Sequence, residues 1–273
     1  MNYSLGKSLL RIENVCLEYD GKPVLKNVNG EIKNILTSTG KKPGQVVGFL
    51  GPSGIGKTQL FRIIAGLNKP TSGKVCINEK DRSVIAGEVG VVAQSYPLFD
   101  HRTVFSNLMV SAMQNESNSK IAREKVVEYL NEFNLIDKAH HYPAQLSGGQ
   151  RQRCAIIQQA LCSEHFLLMD EPFSGLDPLM LDKTCQLLNK LASKDELNTI
   201  IVVTHDITAA ASISNHLWLM GRDSAPDGTK IPGSRIMKEY NLIERDLCWH
   251  PEIMKTSRFY DFVREVKEEF KNL

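Results

Sequence analysis

Gly51-Pro52-Ser53-Gly54-Ile55-Gly56-Lys57-Thr58 is the stretch on which this sequence turns, and it fits G-x-x-x-x-G-K-[ST] at every fixed position. A short β-rich run, Gln45–Leu50 (QVVGFL), leads into it, and Lys57–Leu67 reads as a helix leaving it. The glycines let the backbone wrap closely, so that successive N–H groups point inward at phosphate oxygens. A helix starting near Lys57 adds its positive end. Lys57 supplies a point charge to the β- and γ-phosphates of a nucleotide, and the Thr58 hydroxyl is placed to bind Mg²⁺. A glycine-rich turn with a chance lysine is the competing reading; strand, loop and helix in succession count against it.

Working outward, further apolar runs fall at Val89–Ala93, His165–Met169 (HFLLM), Thr199–Thr204 (TIIVVT) and His216–Met220 (HLWLM). They are continuous rather than alternating, as strands of a parallel sheet covered on both faces should be. Helical patterns lie between them, which predicts an α/β fold with a mainly parallel sheet. Two regions break the rhythm. Arg11–Lys33, with Gly73–Asn78, reads as short strands and turns, an antiparallel β flank. Ser106–Cys162 is helix-rich, and the reading is a helical subdomain, about residues 95–164, inserted into the sheet. Asn34–Pro43 is polar and reads as a loop.

The division drawn on this basis is a nucleotide-binding domain over 1–222 and a C-terminal extension over 223–273. Asp223–Gly233, with Pro226, Gly228, Pro232 and Gly233, reads as a loop. Phe259, Phe262, Val263, Val266 and Phe270 recur at helical spacing, so Ser257–Lys271 is an amphipathic helix. Its apolar stripe either docks on the protein's own core or meets a partner or membrane surface; the polar face mixes acids with bases, unlike a Lys/Arg-rich membrane-surface helix.

The bulk properties exclude more than they define. In 273 residues, 33 Lys plus Arg face 31 Asp plus Glu, a net charge of +2. That balance gives no basic footprint for nucleic acid, so none is expected as a partner. Six scattered cysteines without a C-x-x-C pair read as reduced thiols rather than a disulfide framework or zinc site. No run approaches the ~20 apolar residues that span a bilayer, so a membrane role is expected to come through a partner.

Two more strings carry chemistry. Phe166-Leu167-Leu168-Met169-Asp170-Glu171 is an apolar strand ending in two acids, and acids at a strand's carboxyl end sit where α/β sheets bind ligands. Asp170 would hold Mg²⁺ and Glu171 would orient or deprotonate an attacking water; alternatively both cap the turn at Pro172. Leu146-Ser147-Gly148-Gly149-Gln150 precedes a helical pattern at Arg151–Leu161. Ser147 and the N–H groups of Gly148 and Gly149 make either an anion site or an ordinary helix cap.

The order GPSGIGKT, Gln94, LSGGQ, FLLMDEP, Ser174-Gly175-Leu176-Asp177 and His205 resembles the full motif set of the ATP-binding cassette family, over roughly Ser8–Gly221. The resemblance implies a P-loop NTPase core with a mainly parallel sheet, an antiparallel β flank and an inserted helical subdomain. It implies two cassettes stacked head to tail, as a homodimer or a paired cassette, each ATP held between one subunit's residues 51–58 and the other's Ser147, Gly148, Gly149 and Gln150. It further implies that Tyr19 stacks on adenine, where strand packing is the plain alternative. Gln94 would touch Mg²⁺ and water, Asp177 would lie at the dimer seam, and His205 would contact the γ-phosphate and hold Glu171. The catalytic set is then Glu171, His205 and Lys57; the metal set is Thr58, Gln94 and Asp170; the cofactors are ATP and Mg²⁺. One departure stands in RQRCAIIQQAL, where many relatives carry an arginine near Gln158 or Gln159.

Chromosome-maintenance cassettes carry a long coiled-coil insertion, translation-associated ones usually two copies, and exporters commonly fused membrane helices; none is found here. A single cassette with His141-Tyr142-Pro143 ahead of LSGGQ is similar to bacterial importer subunits. The string Tyr240–Leu247 followed by Trp249-His250-Pro251 resembles the nitrate/sulfonate/taurine branch. The expectation is an ATPase on the cytoplasmic face of the inner membrane, with an integral membrane permease and an extracytoplasmic solute receptor, importing an oxyanion or sulfonate. Ser95–Gln114 would help receive a coupling helix of the permease, unless its apolar residues are buried within the helical subdomain. A soluble ATP-dependent switch or assembly factor, and a cassette for lipid transport or export, share every catalytic motif and stay open.

Overall fold

The computed structural model describes residues 3–37, 43–78, 80–163, 166–194, 199–248 and 252–273. The chain opens with two long strands, β1 (Tyr3–Tyr19) and β2 (Lys22–Thr37), joined through Asp20-Gly21. Both turn residues have positive φ, 49° and 71°, the geometry a tight hairpin requires and the reason Asp-Gly serves there. The expected β flank is thus longer than its apolar pattern. Asn34–Thr37, read as loop, continue β2 because Tyr3, Ser4 and Leu5 pair with Thr37, Leu36 and Ile35; residues 38–42 of that stretch lie outside the described residues.

The core follows: β3 (Gln45–Leu50), α1 (Lys57–Ile64), β4 (Ser72–Ile77) and β5 (Gly90–Val92). Helices α2 (Val104–Asn115), α3 (Ser119–Glu132) and α4 (Gly148–Cys162) come next, with no strand among the described residues between them. Then come β6 (Phe166–Asp170), α5 (Pro178–Lys194), β7 (Thr199–Thr204), α6 (Ile207–Ile213), β8 (His216–Ser224), β9 (Lys230–Asn241) and α7 (Ser257–Phe270). One nine-stranded sheet runs β4-β1-β2-β9-β8-β3-β7-β6-β5. The ladders among β8, β3, β7, β6 and β5 are parallel, whereas β4, β1 and β2 pair antiparallel.

The continuous apolar strands are explained by the two faces they serve. Leu167, Met169, Ile200 and Val202 face a core shared with α2, α3, α4 and α5, while Phe166, Leu168, Ile201 and Val203 face the core filled by α1 and the β flank. Successive side chains of one strand therefore both find apolar surroundings. His165, included in the predicted strand, lies outside the described residues.

The C-terminal region differs from the reading. Asp223 and Ser224 belong to β8, and Lys230–Gly233 open β9, so only residues 225–229 turn. The division expected between 222 and 223 falls within a strand. Strand β9 escaped notice because Pro232 and Gly233 punctuate it; Gly233 has φ 90°, and a Cβ there would lie 2.8 Å from the Lys26 Cβ. Helix α7 turns Phe259, Phe262, Val263 and Val266 into a third core with Leu50, Leu217, Leu219 and Tyr240. Full burial of such side chains contributes roughly 1.5–3 kcal/mol each, which seats the stripe on the chain's own core. Trp249-His250-Pro251 lie outside the described residues. All six cysteines are free thiols, and no helix among the described residues is long and apolar enough to cross a membrane.

Candidate functional site

The loop from Gly51 to Gly56 bridges β3 and α1 at the carboxyl end of the parallel strands. Gly54 and Gly56 have φ of 77° and 97°, and a Cβ on Gly51 would meet the Met220 carbonyl at 2.9 Å, so each glycine has its own steric reason. Gly56 caps α1 without a side-chain hydrogen bond, so no capping side chain competes for the helix's first N–H groups. Pro52 sits in the loop, and Ile55 anchors it in the apolar core. Lys57 Nζ folds back over the loop and donates to the Gly51 carbonyl (2.6 Å) and the Pro52 carbonyl (3.0 Å). Burial pushes its pKa down, against the opposing pull of the Glu171 and Asp170 carboxylates.

A cavity of 460 Å³ opens beside this loop, lined by Tyr19, Val24, Ser53, Gly54, Gly56, Lys57, Thr58, Gln59 and Glu171. Tyr19 is 46% exposed rather than packed in the flank, and its hydroxyl donates to Gln59 Oε1 at 3.0 Å. An exposed ring at the mouth of a glycine-lined cavity can present a face to a planar base.

Glu171 is held from three sides. It carries φ 50°, a left-handed conformation that costs a non-glycine residue on the order of 1 kcal/mol and survives only where the surroundings enforce it. Its N–H donates to the Val203 carbonyl (2.8 Å), Thr204 Oγ1 donates to Oε2 (3.0 Å), and His205 Nδ1 lies 3.0 Å from Oε1. A carboxylate only accepts, so Nδ1 carries the proton and Nε2 is left for another partner. Asp170 ends β6 with its pKa raised by burial and then by Glu171, while Lys57 and Arg62 pull it down. Gln94 is exposed two residues beyond β5, whose pairing of Val92 with Met169 sets it at the same sheet end as the two acids.

The structure does not bring Ser147, Gly148, Gly149, Gln150 or Asp177 into this cavity. Ser147 caps α4 in a reciprocal box: its Oγ accepts from Gln150 N (3.3 Å) and Gln150 Oε1 accepts from Ser147 N (2.9 Å). Asp177 caps α5 through the N–H groups of Leu179 and Met180. Yet a Cβ on Gly148 or Gly149 would meet nothing within 4 Å, and neither has positive φ. Nothing among the described residues requires glycine there.

Three contributors went unrecognised in the sequence. The wholly buried Ser234 hydroxyl on β9 lies against the carbonyls of Val24 and Ile55, bracing the phosphate loop. Thr204 fixes the Glu171 carboxylate, and its place directly before His205 was the available signal. Gln152 donates to Tyr96 Oη and to the Pro172 carbonyl. Gln159, in the RQRCAIIQQAL helix, accepts from Val91 N (3.1 Å), whereas Gln158 Oε1 is buried with no partner among the described residues.

A glycine loop closed by a buried lysine, two acids at the end of β6, which β7 separates from the loop's own strand, and a glycine-bearing capped helix on an inserted helical subdomain define the class: an ATP-binding cassette. Comparison with known proteins agrees. A family profile described as "ABC transporter" matches residues 37–174, half of the chain. The chain is 36% identical over 212 residues to the probable sulfate/thiosulfate import ATP-binding protein CysA of Chlorella vulgaris, covering 77% of this chain and 86% of that one. It is 32% identical to the glutamine transport ATP-binding protein GlnQ of Escherichia coli, covering 85% and 98%. Against the spermidine/putrescine import ATP-binding protein PotA of Vibrio cholerae it is 35% identical over 80% of its own length, but spans only 56% of that relative. Among solved structures, cbiO1 from Clostridium perfringens, part of the ABC transporter complex cbiONQ, superposes with TM-score 0.71 at 26% identity, covering 88% and 90%. A dimeric cassette in a post-hydrolysis state bound to ADP and Pi gives 0.67 at 29% identity, covering 86% and 99%. The chain belongs to the ABC transporter family.

Proposed function

We propose that this chain is the ATP-hydrolysing subunit of an ABC importer. It works as a pair of cassettes on the cytoplasmic face of the inner membrane, beneath an integral membrane permease and with an extracytoplasmic solute receptor. The observation that carries the chemistry is Glu171, clamped by Thr204 and His205 at the wall of the cavity that Lys57 and Thr58 line. In this reading Tyr19 takes the adenine face. The N–H groups of residues 51–58, with the Lys57 ammonium, take the phosphates. Glu171 accepts a proton from the attacking water, and His205, with both ring nitrogens protonated, donates from Nδ1 to the carboxylate and from Nε2 to the γ-phosphate.

The donors suit Mg²⁺, which takes hard oxygen ligands and shares them with substrate phosphates. Burial first, and then the charge of the adjacent Glu171, raise the Asp170 pKa, and a bound cation would offset both. Thr58, Gln94 and Asp170 would hold the ion, which when bound neutralises charge on the β- and γ-oxygens. Lys57→Ala is expected to weaken ATP binding about ten- to hundredfold, each factor of ten being about 1.4 kcal/mol. Titration with a fluorescent nucleotide measures it, and parent affinity would remove Lys57 from the site.

Two features support the pairing and the membrane partner. The sterically free Gly148 and Gly149 leave an open surface at the α4 N-terminus, suited to the phosphates bound by a second copy. A cleft of 230 Å³ bounded by α2, α4 and the segment at β5, lined among others by Phe99, Ser111, Gln114 and Gln158, would take side chains from a coupling helix of the permease; Phe99 is 44% exposed beside it. The relatives named for sulfate/thiosulfate import make an oxyanion or sulfonate the solute class we favour. The test is recovery of tagged Glu171→Gln protein from its native cells in mild detergent with Mg-ATP. Stoichiometric recovery of a multi-spanning membrane protein bears the importer out. Recovery of soluble proteins alone would instead indicate an ATP-dependent switch.

A further inference from the structure

Gln152 lies one turn into α4, beyond the glycines, and is only 3% exposed. Its side-chain amide carries two hydrogens on Nε2, and the structure provides two acceptors: the Pro172 carbonyl at 2.6 Å and Tyr96 Oη at 2.9 Å. Pro172 directly follows Glu171. Among the described residues, the other hydrogen bonds of this turn run to β7 and His205 or within the turn, as from Ser174 N to the Glu171 carbonyl (3.2 Å). Tyr96 lies two residues beyond Gln94, has φ 47°, and has its own carbonyl accepting from Arg151 Nε at 3.4 Å. One buried amide therefore joins three separate pieces of chain: the segment after β5, the first turns of α4, and the turn that holds Glu171 in a strained conformation.

We propose that Gln152 is a positioning residue for hydrolysis, transmitting the placement of α4 and of the Gln94–Tyr96 segment to the Glu171 carboxylate. The proposal rests on Glu171 being the base. A left-handed glutamate persists only under external restraint. Gln152 supplies that restraint from the helical subdomain, whereas Val203, Thr204 and His205 supply it from the sheet. Movement of α4 relative to the sheet must then either carry the Pro172 carbonyl along or break a buried hydrogen bond. Glu171 is aligned only when α4 is in place.

The test uses full-length protein carrying Gln152→Met, which keeps the length and removes both donors, and Tyr96→Phe, which removes one hydroxyl. Steady-state kcat, KM for MgATP and the number of nucleotides bound per chain are measured for each, with Glu171→Gln alongside. A displacement of about 1 Å can cost as much as a hundredfold, so Gln152→Met should lose about tenfold or more in kcat, with KM and bound nucleotide unchanged. Tyr96→Phe should lose about threefold in kcat alone, because it loosens one end of the same bridge. Parent kcat in Gln152→Met overturns the proposal. So does a loss matched by an equal loss of bound nucleotide together with parent kinetics in Tyr96→Phe, which would make Gln152 a fold residue. Turnover by Glu171→Gln would instead remove the base assignment. A silent Glu171→Gln beside a fully active Gln152→Met would remove only the relay.

Discussion

Glu171→Gln is expected to bind MgATP as the parent does and to lose turnover by about a thousandfold, within the 10²–10⁴ range of a general base. The substitution is nearly isosteric, and the clamp survives it. The Thr204 hydroxyl can still donate to an amide oxygen, and the amide nitrogen can donate to His205 Nδ1 once the imidazole takes its other tautomer. The strained backbone is equally retained, since the Glu171 N–H to Val203 carbonyl bond involves no side chain. What disappears is the ability to take a proton. Nucleotide then stays intact, and protein incubated with MgATP should run as a dimer on size exclusion while the parent returns to monomer. Parent-rate hydrolysis by this variant would mean that the base is another group and that Glu171 only caps its turn.

The arrangement of this candidate site was legible wherever it is local. Residues 51–58 can be read from eight letters because strand, glycines, lysine and helix are consecutive, and Asp170-Glu171 because an apolar strand delivers them. Long-range contributions were not legible. Ser234 reaches the phosphate loop from β9, a strand disguised by Pro232 and Gly233, and no local pattern in KIPGSR announces a buried hydroxyl. Gln152 looks like one more polar residue in RQRCAIIQQAL; its burial depends on which face of α4 meets the turn after Glu171, a tertiary fact. Asn34–Thr37 reads as loop by composition and becomes strand because β1 supplies a partner for it, pairing overriding propensity. Ser147 and Asp177 are legible in a different sense: within one chain the structure shows only caps, and their predicted roles need a second copy.

That need makes Ser147→Arg the sharpest test of a shared site. Ser147 is exposed and outside the cavity, so ATP affinity of the isolated chain should stay within about twofold of the parent. Losing the N-cap costs about 0.5–2 kcal/mol, which α4 should tolerate because Cys154, Ala155, Ile156 and Ile157 remain buried beneath it. A long cation, however, would fill the open surface beside Gly148 and Gly149 where a second cassette must approach. Turnover should fall to about one per cent of the parent or less, since the site would lack its second half. Introduced into Glu171→Gln, the change should abolish the ATP-bound dimer. Ser147→Ala separates the causes: it forfeits the same cap and should melt at the same temperature as Ser147→Arg, yet leaves the surface clear and so keeps the dimer. If Ser147→Arg still dimerises on MgATP, the glycines at the head of α4 face no partner nucleotide, and hydrolysis must be completed within a single chain.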